Sequence, residues 1–191
     1  MSQIIKQLKP VFEELFSPVV SFLNKIGITP NFLTFSGIIF VLASSYFIYT
    51  GEFLTGGILL LIGNLCDALD GTLARKFNKE SKFGAFLDSV IDRFSDFLPV
   101  IAIGLYLKED DTVLLLSIFA VLFSFMVSYT RARAEGLGID CKVGIMERAE
   151  RSVVLILSLI FDFIVAGLLI IAIGALITTL QRIVCVYKKS D

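Results

Sequence analysis

The sequence has no histidine, and only 18% of its 191 residues are charged. Histidine is the side chain that most often serves as a general base near neutral pH and as a ligand for transition metals. Any catalysis by this chain must therefore use carboxylates, lysine, arginine, tyrosine or hydroxyl groups. The net charge is only −1, so the bulk charge indicates no nucleic-acid partner.

Cysteine is scarce as well. The chain has Cys66, Cys141 and Cys185, without any CxxC spacing. An odd number of cysteines argues against a disulfide framework, and we expect these residues to be small, buried hydrophobic side chains. Cys66 is adjacent to Asp67, but a soft thiolate is a poor ligand for a hard cation.

Apolar residues are abundant: they make up 56% of the chain, and the mean hydropathy is +0.85. From Pro30 onward the apolar runs are long enough to cross a bilayer, which takes about 20 helical residues. Residues 3–25 mix apolar and charged positions and lack a cleavage site, which favours an interfacial helix over a signal peptide. We predict an all-α integral membrane protein with one domain, an interfacial amphipathic helix in residues 1–27 and a six-helix transmembrane core in residues 30–187. The predicted spans are 31–50, 54–76, 83–107, 112–133, 148–164 and 166–187.

Lysine and arginine are concentrated at one end of the predicted spans. They lie before the first span, in the 75–82 and 131–151 regions and after the sixth span, whereas the opposite ends are mainly acidic. The positive-inside rule places both termini and these two regions in the cytoplasm. We therefore expect a multi-pass protein of the cell membrane with its active site facing the cytoplasm.

Four aspartates stand inside these apolar segments, in the pattern Asp67-x-x-Asp70-Gly71-x-x-Ala74-Arg75 and then Gly84-x-x-x-Asp88-x-x-x-Asp92. Spacings of three and four place each pair on one helix face. An ionised aspartate at membrane depth costs several kcal/mol unless it has a partner or a water-filled cavity. Two packed helices would converge four carboxylates, the hard oxygen ligands that Mg²⁺, Mn²⁺ or Ca²⁺ prefer.

The aspartates fit a solvated helix end or a cation transporter less well. A solvated pair at a helix end does not account for the second pair, which is followed by Asp96. A divalent-cation transporter or channel would spread polar residues along a path to both membrane faces, whereas these residues gather at one face beside Gly71 and Arg75.

The string from Asp67 to Asp92 resembles the signature of the CDP-alcohol phosphotransferase family of integral membrane enzymes, and the resemblance extends over the whole chain. It implies that two Mg²⁺ or Mn²⁺ ions bind Asp67, Asp70, Asp88 and Asp92. It also implies that Asp92 deprotonates an acceptor hydroxyl, which attacks the β-phosphorus of a CDP-lipid so that CMP leaves. A homodimer is expected as in the family. The residues that resemble the family's CDP-lipid contacts are Pro30, Asn31, Phe32, Leu33, Gly71, Arg75, Ser81 and Gly84.

A basic cluster at the cytoplasmic end of the spans, here called the basic mouth, indicates which acceptor substrate is used. It consists of Arg131, Arg133, Lys142, Arg148 and Arg151. Such residues also anchor membrane proteins on the cytoplasmic side. The pattern R-A-R-A-E followed by G-I-M-E-R-A-E-R nevertheless resembles the subgroup that makes inositol-phosphate lipids, although relatives often have Lys at 131 and Pro at 149. This resemblance implies transfer of a phosphatidyl or archaetidyl group to inositol 1-phosphate; the alternative is a phosphatidylglycerophosphate synthase that uses glycerol 3-phosphate. The implied acceptor-phosphate residues are Ser128, Arg131, Arg133, Arg151 and Arg182.

Overall fold

The computed structural model describes residues 10–190, which form eight helices and no strand. Residues 1–9 of the predicted interfacial segment lie outside the described residues, and α1 covers residues 10–15. The other helices are α2 Ser17–Lys25, α3 Pro30–Tyr49, α4 Phe53–Lys76, α5 Lys82–Tyr106, α6 Asp111–Gly136, α7 Arg148–Ile160 and α8 Ile164–Ser190.

Four of these helices, α3, α4, α6 and α8, are long and apolar enough to cross a membrane. Many of their large apolar side chains point outward, as lipid-facing residues do; Ile39 is 65% exposed and Ile118 is 53% exposed. The prediction of an all-helical chain with several apolar helices is confirmed. The full count of six spans stays a prediction, because α5 carries several charged side chains and α7 has only 13 residues.

Local capping signals set the starts of α3 and of α5, the helix that carries Asp88 and Asp92. Thr29 caps α3, with Pro30 in the first turn, and Ser81 caps α5 by accepting a hydrogen bond from the Gly84 amide at 3.0 Å. Short polar side chains at this position satisfy amide groups that have no partner within the helix. The start of α5 therefore brings Asp88 and Asp92 toward the end of α4.

The break between α7 and α8 lies slightly earlier than the predicted spans place it. α7 ends at Ile160, and Asp162 adopts a left-handed backbone conformation with φ 56°. Gly167 lies inside α8, where an added Cβ would collide with the Ser158 side chain. This glycine therefore permits close packing of α8 on α7 instead of ending a helix.

Close helix packing holds α3 and α4 together. An added Cβ on Gly37 would lie 3.1 Å from the Gly63 carbonyl oxygen, and one on Gly63 would lie 3.0 Å from that of Gly37. Small residues at such crossings let helix backbones approach within the membrane. The crossing places Thr34 of α3 opposite Asp70 of α4, where their side chains form a hydrogen bond.

The amino-terminal helices dock on the end of α4 that carries the aspartates. Lys76 donates to the Ser17 and Ser21 hydroxyls at 2.6 and 2.7 Å, and Lys79 donates to Asn24 at 2.6 Å. Val20 is fully buried against Leu33, Leu69 and Leu73. Other apolar residues of these helices stay exposed, among them Val11, Leu15 and Phe22. The placement of this segment in a membrane interface stays a prediction.

One expectation from the cysteine count is wrong. Cys141, in the connection between α6 and α7, forms a disulfide with Cys185 of α8, 44 residues further along the chain. Their pairing depends on the return of the α6–α7 connection across α8, which residue spacing does not reveal. Cys66 is the free cysteine of the described chain, and it is partly buried.

Candidate active site

Three of the four aspartates converge between α4 and α5. One carboxylate oxygen each from Asp67, Asp70 and Asp88 lies within 4.8 Å of the other two. Asp70 is the most enclosed of them at 5% exposure, and it accepts the hydrogen bond from Thr34. The convergence expected from the helical spacing is therefore seen for these three residues: α4 and α5 direct their carboxylates to one point.

This cluster suits a divalent metal ion. Oxygen ligands of one Mg²⁺ ion, with bonds of about 2.1 Å, stand at most about 4.2 Å apart, so three oxygens that all lie within 4.8 Å of one another are near enough for one ion to bind them. The ligands are all hard oxygens, as Mg²⁺ and Mn²⁺ prefer. Carboxylates held this close also repel one another unless a cation neutralises them. The donor set therefore fits the predicted kind of metal.

Asp92 lies outside this group of three and faces two arginines. Its Oδ1 is 2.8 Å from Nη1 of Arg148, and its Oδ2 is 3.3 Å from Nη2 of Arg93. The same Nη1 of Arg148 donates to Asp67 Oδ2 at 2.6 Å. Arg148 therefore links the fourth aspartate to the other three, a contact that residue spacing does not reveal.

The residues predicted to contact CDP divide into two groups beside the carboxylates. Asn31, Ser81 and Gly84 come together, since an added Cβ on Gly84 would stand 2.9 Å from Ser81 Oγ and 3.3 Å from Asn31 Oδ1. The glycine thus keeps open a small polar notch between the starts of α3 and α5. The two residues that follow Asn31 differ in exposure: the Phe32 side chain is exposed, whereas Leu33 is buried in the hydrophobic cluster with Val20, Leu69 and Leu73.

Gly71 and Arg75 form the second group, on α4. An added Cβ on Gly71 would lie 3.1 Å from Arg75 Nη1, so the guanidinium lies directly over the glycine. Arg75 also pairs with Glu13 of α1, at 2.8 Å between Nη2 and Oε1, and both side chains are partly exposed. No local pattern indicates the Glu13 contact, because it joins residues 62 positions apart.

The predicted acceptor residues differ sharply in their surroundings. Arg133 is exposed, and Arg131 pairs with Glu135 at 3.0 Å on the surface of α6. Ser128, one turn earlier, donates to the Ser124 carbonyl at 3.4 Å. Arg151, in contrast, is 4% exposed and donates to Asp96 at 2.5 Å.

Arg182 is the most deeply buried of the set, at 2% exposure. It donates to Glu147 at 3.0 Å, to the Val143 carbonyl at 2.9 Å and to the Val127 carbonyl. It thereby joins α8 to α6 and to the connection before α7. Buried charges in proteins are stable only when paired and hydrogen-bonded in this way.

The start of α7 gathers most of these ion pairs. Glu147 directly precedes the helix, Arg148 reaches the metal carboxylates, and Arg151 reaches Asp96 of α5. From the sequence, Arg148 was expected only at the basic mouth and Asp96 only after the second aspartate pair, neither with a role of its own. The alternation of Glu and Arg in Glu147-Arg148-Ala149-Glu150-Arg151 was the available signal, since so many charges at the start of an otherwise apolar helix need partners.

Comparisons with known proteins agree with this arrangement. The family model for CDP-alcohol phosphatidyltransferases matches residues 27–185. An archaetidylinositol phosphate synthase of Pyrococcus horikoshii is 39% identical over 191 residues, which cover 98% of this chain and 99% of the relative.

Two crystal structures of the phosphatidylinositol phosphate synthase of Mycobacterium tuberculosis share the fold. The one with CDP-DAG bound has a TM-score of 0.83 and 26% identity, and the match covers 91% of this chain and 94% of that one. The one in complex with manganese and citrate has a TM-score of 0.81 and 27% identity, with 89% and 88% covered. With most of its length matched and three of the four signature aspartates gathered where α4 meets α5, the chain belongs to the CDP-alcohol phosphatidyltransferase family.

Proposed function

We propose that this transferase moves a phosphatidyl or archaetidyl group from a CDP-lipid to inositol 1-phosphate and releases CMP. The observation that carries the proposal is the convergence of Asp67, Asp70 and Asp88, with Asp92 joined to them through Arg148. The basic residues of α6, α7 and α8 support the choice of a phosphorylated acceptor. So does the likeness to an archaetidylinositol phosphate synthase and to a phosphatidylinositol phosphate synthase.

The four aspartates hold two Mg²⁺ or Mn²⁺ ions in this proposal. When bound, the ions neutralise charge on the pyrophosphate and stabilise departure of the leaving group. The oxygen-only donor set and the manganese complex of a solved relative support this assignment. The contribution of the protein is geometric: α4 and α5 fix the carboxylates in place, and Thr34 orients Asp70 through its hydrogen bond.

The donor occupies the side of the cluster formed by the starts of α3 and α5 and by the end of α4. Gly84 leaves room there, and Gly71 accommodates the guanidinium of Arg75, which is suited to a phosphate oxygen. A relative crystallised with CDP-DAG supports a CDP-lipid as donor. The residues around the site contact the head of the donor, so they do not distinguish diacyl from dialkyl chains.

The acceptor hydroxyl loses its proton to Asp92 as its oxygen forms a bond to the β-phosphorus. The bond between that phosphorus and the oxygen bridging to the α-phosphate breaks, and CMP leaves with the electron pair. Asp92 is well placed for this role because it lies at the edge of the carboxylate group, on the side of α7. A positioned base of this kind accelerates a reaction by about 10²–10⁴-fold.

The acceptor phosphate lies against the basic mouth in this proposal. Arg131, Arg133 and Ser128 approach it from α6, and Arg133 is exposed enough to bind it directly. Arg151 and Arg182, which are more deeply buried, lie at the bottom of this proposed acceptor-phosphate site. A guanidinium has five N–H donors, so each retains donors beyond those directed at Asp96, Glu147 and the backbone.

The membrane setting follows from the same assignment. We place six spans in the cell membrane, with α5 and α7 added to the four long apolar helices, and both termini and the active site in the cytoplasm. The exposed apolar residues of α1 and α2 support an interfacial position for the amino-terminal segment. A homodimer, as the family resemblance implies, completes the proposal.

The deciding experiment measures CMP release by the purified protein from diacyl and dialkyl CDP-lipids with a panel of acceptors. We expect inositol 1-phosphate to be preferred over inositol and glycerol 3-phosphate, chelation to abolish release and Mg²⁺ or Mn²⁺ to restore it. Asp70→Asn should be inactive, whereas Asp111→Asn, an equal charge loss in the first turn of α6, should retain activity. Full activity without metal would refute the metal site, and a preference for glycerol 3-phosphate would refute the acceptor.

A further inference from the structure

Arg148 occupies an unusual position, because its one guanidinium forms ion pairs with three carboxylates of α5 and α4. Nη1 lies 2.6 Å from Asp67 Oδ2 and 2.8 Å from Asp92 Oδ1, and Nε lies 3.7 Å from Asp96 Oδ1. Its side chain is 23% exposed. Two of these three carboxylates are proposed metal ligands, whereas Asp96 is not.

A guanidinium and a divalent ion compete for such oxygens in two ways. Asp67 Oδ2 accepts a hydrogen bond from Nη1 of Arg148, and the same nitrogen stands 2.8 Å from Asp92 Oδ1, so the guanidinium occupies space from which a metal ion would approach both oxygens. In addition, a fixed positive charge within hydrogen-bonding distance of the ligands repels an entering cation, and this repulsion is strong where water is scarce. Contact with Arg148 should therefore weaken metal binding while it relieves repulsion among the carboxylates.

Asp96 provides Arg148 with a second partner beside the metal ligands. Its side chain is 5% exposed and is fixed by Arg151 at 2.5 Å. It stands one helical turn beyond Asp92 on α5, so a small rotation of the Arg148 side chain can exchange Asp92 for Asp96. The arginine thus has a nearby partner after it releases the metal ligands.

We propose that Arg148 is a built-in counter-ion of the metal site, which bridges Asp67 and Asp92 and yields their oxygens to an entering divalent ion. The exchange also frees Asp92 for its role as base. The inference rests on the proposed metal site. It differs from a purely structural role in the sign of its effect: a strut that orients the carboxylates would strengthen metal binding, whereas a counter-ion weakens it.

The test compares Mn²⁺ affinity, measured by calorimetry at fixed ionic strength, in the wild-type protein and in Arg148→Met. We expect Mn²⁺ to bind Arg148→Met at least tenfold more tightly, while its unfolding temperature in excess chelator falls because the carboxylates then repel one another. Lys108→Met is the matched control, since it removes one positive charge from an exposed residue in the connection between α5 and α6. Its Mn²⁺ affinity and unfolding temperature should both stay close to those of the wild type.

A second variant keeps the inference testable if Arg148→Met does not fold. Lysine retains the charge of Arg148 but is shorter and lacks the planar fork that donates to both oxygens of Asp67, so Mn²⁺ should bind Arg148→Lys at least threefold more tightly than the wild type. Unchanged or weaker Mn²⁺ binding by a folded Arg148 variant would overturn the counter-ion role and leave the proposed function intact. Failure of the wild-type protein to bind Mn²⁺ would overturn the metal site and the counter-ion role together.

Discussion

Arg182 offers the sharpest test of how the basic residues divide between structure and acceptor binding. Its guanidinium is 2% exposed and donates to Glu147 and to two backbone carbonyls of other segments. Changing Arg182 to methionine removes these hydrogen bonds and also removes the positive charge that pairs with the largely buried Glu147 carboxylate. Loss of one member of a buried ion pair costs about 3–5 kcal/mol.

That cost corresponds to a large fall in the unfolding temperature. For a chain of this size, each kcal/mol lowers the midpoint by about 2–4 °C, so Arg182→Met should unfold roughly 6–20 °C earlier than the wild type. The assay is thermal unfolding in detergent, followed by far-ultraviolet circular dichroism. In parallel, the KM for inositol 1-phosphate is measured below the unfolding range.

Arg133→Met is the matched control, because Arg133 carries the same charge but is exposed. It should unfold within about 2 °C of the wild type, since exposed charges contribute little to stability, and it should raise the KM for inositol 1-phosphate several-fold. A double variant of Arg182→Met with Glu147→Gln should lose less stability than the sum of the single changes, because the two residues interact. An Arg182→Met protein that unfolds at the wild-type temperature would refute this reasoning.

Two further predictions concern catalysis and the disulfide. Asp92→Asn should lower kcat by about 10²–10⁴-fold through loss of the base while CDP-lipid binding, measured by equilibrium titration, persists; near-normal turnover would remove the base role. Cys141→Ser should lower the free energy of unfolding by about 2–4 kcal/mol, since it opens a cross-link between distant residues. Cys66→Ser, which breaks no disulfide, serves as the control in unfolding measurements, and equal stability of both variants would contradict the role of the cross-link.

Local patterns in the amino-acid sequence were sufficient to predict the helical class, most helix boundaries and the candidate metal ligands. Thr29 and Ser81 mark helix starts because short polar side chains cap free amides. The spacing of Asp67 and Asp70 places them on one face in any helix. The apolar runs in turn require that these aspartates meet partners within the fold.

The long-range partners of those side chains depend on the packing of the helices. Arg148 lies 81 residues from Asp67, yet it occupies the edge of the carboxylate cluster. Arg151 and Arg182 are both proposed to bind the acceptor phosphate, and only the packed fold shows that they pair with Asp96 and Glu147. Residue spacing records neighbours along a helix, whereas contacts between helices depend on how far each helix is rotated and shifted against the others, and only the packed fold fixes those quantities.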